Sequence, residues 1–356
     1  MQFIKPDINI DFIGKRKIAF TGSLVLVAIG IISLIAKGGP MYGIDFAGGT
    51  VVQVKFSEEI KPQAVKRALR TMDLGITSIQ RFGEKKEHEF LIRAAESTGA
   101  LESLASDIKQ KLETAYPQNK SEVRRVEMVG PKVGKDLREK ALLAMFSAIL
   151  FIVVYISGRF ELKWMASIIM ASCLSATLFV LAKFGVSIPI LIAVAVIVTL
   201  ALSFYLNLRF AMGAIVALIH DILITVGVFS LTNKEITLPI IAALLTIIGY
   251  SLNDTIIVFD RIRENSRKYH RQPYELIINR SINETLSRTL LTSMTTLTVV
   301  VALFVLGGGI IHDFAFALII GVIVGTYSSV YVASPVLIVW QQAMRSPMRK
   351  KRARRQ

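Results

Sequence analysis

The sequence contains one cysteine, Cys173, which excludes an intrachain disulfide and any centre built on several thiolates. Set in an apolar stretch, it reads as a small buried hydrophobe. Histidine is scarce too, with four in 356 residues, and no cluster has metal-ligand spacing, so no metal is expected. His88 stands between Glu87 and Glu89. Neighbouring strand residues face opposite sides, so a solvated hairpin face explains it better than a metal centre. No Gly-Lys-Ser/Thr follows Gly48 and Gly49, so that pair opens a strand rather than cradling phosphate, and nucleotide hydrolysis has no seat there. Charge is also sparse, at 19% of residues. What fills the chain instead is apolar: 53% hydrophobic residues and a mean hydropathy of +0.55 define a polytopic helical membrane protein rather than a soluble domain.

A spanning helix takes about 20 apolar residues. Eight segments fit: residues 18–36, 141–157, 164–182, 188–206, 210–231, 238–259, 289–306 and 314–340. No small-x-small cleavage end follows the first, which reads as a retained anchor. The net charge of +16 sits mostly in short tracts beside these runs, as topology requires, so nucleic acid is not an expected partner. Lys15, Arg16 and Lys17, then Arg261, Arg263, Arg267, Lys268 and Arg271, and finally residues 349–355, all fall on one side of an eight-span chain. Basic loops stay cytoplasmic, so both termini and the loop at 260–288 are expected in the cytoplasm, followed by a basic tail at 341–356. The short loops at 183–187, 232–235 and 307–313 are expected on the other face.

Residues 40–139 form the one long hydrophilic region, expected outside the cytoplasm. A β-branched strand at 50–56 precedes a helix opened by Pro62 with Val65, Ala68, Leu69 and Met72 at helical spacing. Strands at 76–82 and 88–93 flank Gly83 as a hairpin. Leu101, Leu104, Ile108 and Leu112 mark a second helix, and residues 121–129 a last strand. The order β-α-β-β-α-β is ferredoxin-like.

The chemistry lies in the membrane. Asp221 is about eleven residues from either end of its span and Asp254 about 7–9 Å inside the end of its own. A carboxylate at the centre costs roughly 2.5–3.5 kcal/mol to insert, so each is a candidate functional group. A buried carboxyl can load and release a proton near neutral pH, which is what a proton-coupled machine needs. A neutral acid bonded to a neighbouring helix is the competing account. His220 adjoins Asp221 but points roughly 100° away around the helix, so the two need not share a face. Ser251 and Asn253 flank Asp254, and Thr292, Ser293, Thr295 and Thr296 form a hydroxyl cluster in the seventh span; such hydroxyls serve a relay or, more commonly, bond back to backbone. Gly321 and Gly325, with Ser329 and Ala333, form a small-residue stripe for close helix packing. Arg261, Arg263 and Glu264 anchor the end of the Asp254 helix.

Several stretches together resemble the SecF family of bacterial protein-export subunits, part of the SecD/SecF group within the RND superfamily. They are Tyr42-Gly43-Ile44-Asp45-Phe46-Ala47-Gly48-Gly49-Thr50, Val129-Gly130-Pro131-Lys132-Val133-Gly134, the helix ending in His220-Asp221, the run from Gly249 to Asn265, and Tyr331-Val332-Ala333-Ser334. The resemblance covers nearly the whole chain. It implies a subunit that is no enzyme, works in the inner membrane with SecD and the SecYEG translocon, and uses the proton motive force to move preprotein at a late, extracytoplasmic stage. YajC and YidC are further implied associates, and no cofactor beyond the proton is implied. Asp254 matches the partner's motif carboxylate, and Arg261, Arg263 and Glu264 lie where the resemblance puts a boundary with SecD. The alternatives are half of an RND-type exporter of small molecules or lipids, and a non-conducting subunit that only stabilises SecD. The family usually has six spans, and the two extra ones lie within 161–209. There Tyr155-x3-Arg159-Phe160 recurs as Tyr205-x3-Arg209-Phe210, an offset of 50 residues. Packing against lipid or a partner is the expected role of that pair.

Overall fold

The computed structural model describes residues 8–70, 72, 76–82, 88–94, 101–183 and 188–353. Helix α1, Arg16–Ala36, ends where Gly38 and Gly39 take φ of 73° and 126°. The short α2, Ile44–Ala47, leads into β1, Gly49–Phe56. Then come α3, Pro62–Leu69, β2, Ile76–Phe82, β3, Glu89–Ala94, α4, Leu101–Ala115, and β4, Ser121–Val129. The sheet order is β2-β3-β1-β4 with every pairing antiparallel, which is the ferredoxin-like arrangement. Alternation in β1 and β3 sends Val52, Val54, Phe90 and Ile92 to the face covered by Leu69 of α3 and Ile108 of α4. The expected hairpin tip at Gly83 lies outside the described residues, as does most of the loop at 183–187.

The membrane part consists of α5, Pro131–Glu161, α6, Trp164–Lys183, α7, Ile188–Tyr205, α8, Arg209–Leu231, α9, Leu238–Lys268, α10, Tyr274–Leu306, α11, Gly309–Ser328, and α12, Ser334–Ala353. A π-helical turn, Ser329–Ala333, joins the last two. Among the described residues six helical stretches are long and apolar enough to cross a membrane: α1, α5, α8, α9, α10 and the α11–α12 rod to Ala343. The inserted pair is shorter in its apolar part, Trp164–Thr177 and Ile190–Tyr205.

Three expectations need correction. Residues 260–288 are not one loop: α9 runs on to Lys268 and α10 starts at Tyr274, because polar residues continue a helix once they leave the apolar layer. Cys173 is exposed rather than buried. His220 and Asp221 do meet, since rotation of both side chains closes the gap left by the 100° step, with Nδ1 2.8 Å from Oδ1.

The glycine motifs act as close-packing points. Gly48 has φ 76° and ψ 178°, and a Cβ there would lie 2.8 Å from Pro131 Cα. One on Gly134 would lie 3.0 Å from Gly48 N, so the two family motifs dock on each other at the start of α5. Gly30 of α1 and Gly227 of α8 likewise cross backbone to backbone. The repeated Arg-Phe pairs also meet in space. Phe160 stacks on Phe210 at 5.1 Å, both rings contact Phe259, and Glu161 Oε1 accepts the Phe210 N–H at 3.1 Å.

Candidate functional site: two buried carboxylates among hydroxyls

Asp221 on α8 is 0% exposed and Asp254 on α9 is 1% exposed. Close packing of α11 on α9 builds their surroundings. A Cβ on Gly321 would strike Ile247, and one on Gly325 would lie 3.0 Å from Ser251 Cβ, so only glycine lets α11 approach this far. At that separation Ser251 Oγ donates to Asp221 Oδ2 at 2.6 Å and Ser328 Oγ to the same oxygen at 2.8 Å, while His220 Nδ1 faces Oδ1. Asp221 thus has three groups that can donate to it: Ser251, Ser328 and, in its Nδ1–H tautomer, His220. His220 Nε2 is buried without a partner, and its ring stacks against Tyr327 at 6.3 Å.

Asp254 lies one turn further along α9 from Ser251. Its Oδ2 is 3.3 Å from Ser293 Oγ on α10, and Ser293 Oγ is 2.6 Å from Thr326 Oγ1 on α11. Thr326 Oγ1 in turn donates to the Val322 carbonyl at 2.7 Å. Oδ1 of Asp254 is buried with no partner. With Thr326 donating to Val322, Ser293 has one hydrogen for two acceptors, Asp254 and Thr326. A protonated Asp254 resolves this, because each group then donates to the next: Asp254 to Ser293, Ser293 to Thr326, Thr326 to Val322. An ionised Asp254 instead draws the Ser293 hydrogen to itself. Protonation therefore reverses a hydroxyl that links α9, α10 and α11.

The other sequence-predicted residues spread out. Asn253 faces outward, and Thr292 and Thr295 donate to carbonyls of their own helix. Arg261 pairs with Glu264 at 2.9 Å and lies 3.5 Å from Glu284 on α10. Arg263 donates to the Arg159 carbonyl at the end of α5. Gly43, Asp45 and Phe46 hold the other end of α9. Gly43 N–H donates to the Ile236 carbonyl at 2.8 Å, Asp45 Oδ2 accepts the Leu238 N–H at 2.9 Å at the first residue of α9, and Phe46 is buried beside Tyr42. Beside them the Arg93 guanidinium of β3 pairs with Glu235 and donates to the Tyr42 carbonyl at 3.2 Å. Burial pulls Arg93 below its ordinary value, with the charge of Asp45 acting the other way.

Sequence reasoning missed Ser328 and Thr326, one register away from the small-residue stripe, and Arg288, whose charge acts on Asp254 from α10. Arg288 fell just outside the apolar window that began at 289. A cation one turn before a hydroxyl cluster was the available signal. Among the described residues no group of three or more His, Cys, Asp or Glu side chains could hold a metal ion.

A bundle that buries two carboxylates among hydroxyls, and ties the carrying helix to an α+β domain, defines a multi-pass transport or translocation subunit. The model of the protein export membrane protein SecD/SecF C-terminal family matches residues 107–195 and 184–343, and that of the SecD/SecF GG motif matches residues 33–60. The chain belongs to the SecF family of protein translocase subunits. It is 41% identical to the SecF subunit of Magnetococcus marinus over 97% of this chain and 96% of that one. It is 39% identical to that of Vibrio alginolyticus, covering 95% and 91%. A crystal structure of SecDF from Thermus thermophilus, a translocon-associated membrane protein, matches with a TM-score of 0.68 at 32% identity, covering 96% of this chain and 40% of that one. A second SecDF structure, in a super-membrane-facing form, matches with a TM-score of 0.63 at 31% identity, covering 99% and 41%. The chain thus spans about two fifths of the solved chains it resembles.

Proposed function

We propose that the chain is the SecF half of a SecD–SecF unit in the bacterial inner membrane, with both termini in the cytoplasm and the β1–β4 domain on the opposite face. Protons reach Asp254 along a path shared with SecD, and their binding and release move preprotein out of the SecYEG channel. YajC and YidC join the same assembly. No cofactor is needed, because the work is done by a proton and a carboxyl group. The hydroxyl relay from Asp254 through Ser293 to Thr326 carries this reading, since it couples one protonation to the contacts between three helices. Asp221, with His220, Ser251 and Ser328, forms the adjoining station.

The test uses the complete complex in proteoliposomes under an imposed proton gradient. Asp254→Asn is expected to assemble normally and to lose gradient-dependent export; export as fast as wild type from an assembled variant would overturn the reading. Asp221→Asn, measured alongside, tells whether the second carboxyl lies on the same path or only supports it.

A further inference from the structure

The 50-residue repeat reaches well beyond its Tyr-Arg-Phe marker. Residues 141–195 align with 191–245 without a gap, and Ile169, Phe179, Leu181 and Pro189 recur as Ile219, Phe229, Leu231 and Pro239. The SecD/SecF match falls in two segments that overlap at 184–195, within this stretch. The offset sets α6 in the register of α8, with Met170 and Ala171 where α8 has His220 and Asp221. Helix α7 begins like α9, with proline in second position, and ends like α5. In the original set α11 closes the cleft beside α8 and α9, through Gly321, Gly325 and Ser328. No copy of α11 came with the insertion, and a cleft of 560 Å³ is left between α6 and α7.

Met170, Cys173 and Leu174 line it from α6, and Leu191, Ala195 and Leu202 from α7. The hydroxyl of Thr177, its one polar side chain apart from the thiol, donates to the Cys173 carbonyl at 2.8 Å. The dimensions of the cleft suit extended hydrocarbon. At the end marked by Ala166 and Leu206 stands Lys163, whose Nζ donates to the Leu206 and Asn207 carbonyls, at 2.5 and 3.4 Å. Exposed Arg209 is close by in sequence, and Trp164 and Tyr205, 44% and 82% exposed, flank the same end as residues of a membrane interface do. Of the carboxylates there, Asp260 pairs with Arg159, and Glu161, which accepts the Phe210 N–H through Oε1, lies in the field of both Lys163 and Arg209, so one carboxylate faces two cations and the rim stays net positive.

We infer that the α6–α7 cleft holds an acyl chain of an anionic phospholipid whose headgroup rests on Lys163 and Arg209. The inserted pair supplies a cleft without carboxylates or cations inside the membrane and net basic at its rim, which is the pattern that selects anionic headgroups.

Native mass spectrometry of the full-length protein, titrated with phosphatidylglycerol or phosphatidylcholine, tests this. Wild type is expected to retain phosphatidylglycerol preferentially, and Lys163→Gln and Arg209→Gln each to reduce that preference about fivefold. Ala195→Phe fills the cleft and is expected to remove the retained lipid, as is Val198→Trp at its rim should Ala195→Phe misfold. Val299→Phe on the outward side of α10 is expected to change nothing. Equal retention of the two lipids, or retention unchanged with the cleft filled, overturns the inference. So does cross-linking of Cys173 to a protein helix in place of lipid.

Discussion

Ser251 donates to Asp221 at 2.6 Å from a position one turn before Asp254, so a single turn of α9 serves both buried carboxylates. Altering Asp221 therefore disturbs the helix that carries Asp254. Asp221→Asn keeps acceptor capacity for Ser251 and Ser328, whereas Asp221→Leu strands the Ser251 hydroxyl and leaves Ser328 the Gly325 carbonyl at 3.1 Å. Thermal unfolding in detergent is expected to show Asp221→Leu less stable than Asp221→Asn by about 1–3 kcal/mol for the stranded group. Equal stabilities would mean that Ser251 finds another partner.

The close approach of α11 predicts an order among glycine variants. Gly321→Ala places a Cβ 2.2 Å from Ile247 Cγ1, and overpacking of this kind costs about 1–3 kcal/mol. Gly325→Ala meets Ser251 at 3.0 Å and is expected to be milder in unfolding while weakening export, because it pushes against the residue that bonds Asp221. A full-activity Gly325→Ala would show that Ser251 has room to move.

The hydroxyls of α10 separate by function. Ser293→Ala removes the link between Asp254 and Thr326 and is expected to reduce gradient-driven export severalfold. Thr292→Ala and Thr295→Ala, whose hydroxyls serve only their own helix, are expected to stay near wild type in the same assay. The reverse order would place the relay on the outward face.

Between the domain and the bundle, Arg93 and Glu235 form a partly buried ion pair. Either Arg93→Gln or Glu235→Gln alone is expected to cost about 1.5–3 kcal/mol, with the double variant less damaging than the sum of the two. A double-mutant cycle by chemical unfolding measures the coupling, and strict additivity would rule the contact out as a latch.

Gly48 occupies a region of backbone space that is essentially restricted to glycine, and its missing Cβ faces Pro131. Gly48→Ala is expected to destabilise the joint of domain and α5 by about 1–3 kcal/mol before any clash is counted. Protease sensitivity near residue 130 would report it.

Much of this was legible from patterns along the chain. The strands at 76–82 and 121–129 coincide with β2 and β4, because alternation and turn residues bound them locally. Both carboxylates stood out because charge inside an apolar run is costly. What sequence could not give is which hydroxyl faces which acid: Ser293, not Thr292 or Thr295, reaches Asp254, and that depends on the rotation of α10 against α9. Arg288 was lost to a window edge, since the helix continues far past the apolar layer. The His220 contact was underrated because side-chain rotation closes an angle that backbone geometry leaves open.

Helix α9 is one unbroken rod of 31 residues, capped by Asp45 at its first turn and carrying Asp254 sixteen residues on. That separation is about 24 Å, so a tilt of about 10° pivoting at the carboxylate sweeps the capped end through about 4 Å. Between Pro239 in the first turn and Asp254 the one glycine is Gly249, and the helix runs unbroken through it. Any tilt of this rod about Asp254 would therefore be felt at its other end, where the Asp45 cap and the Arg93–Glu235 pair join it to the sheet domain.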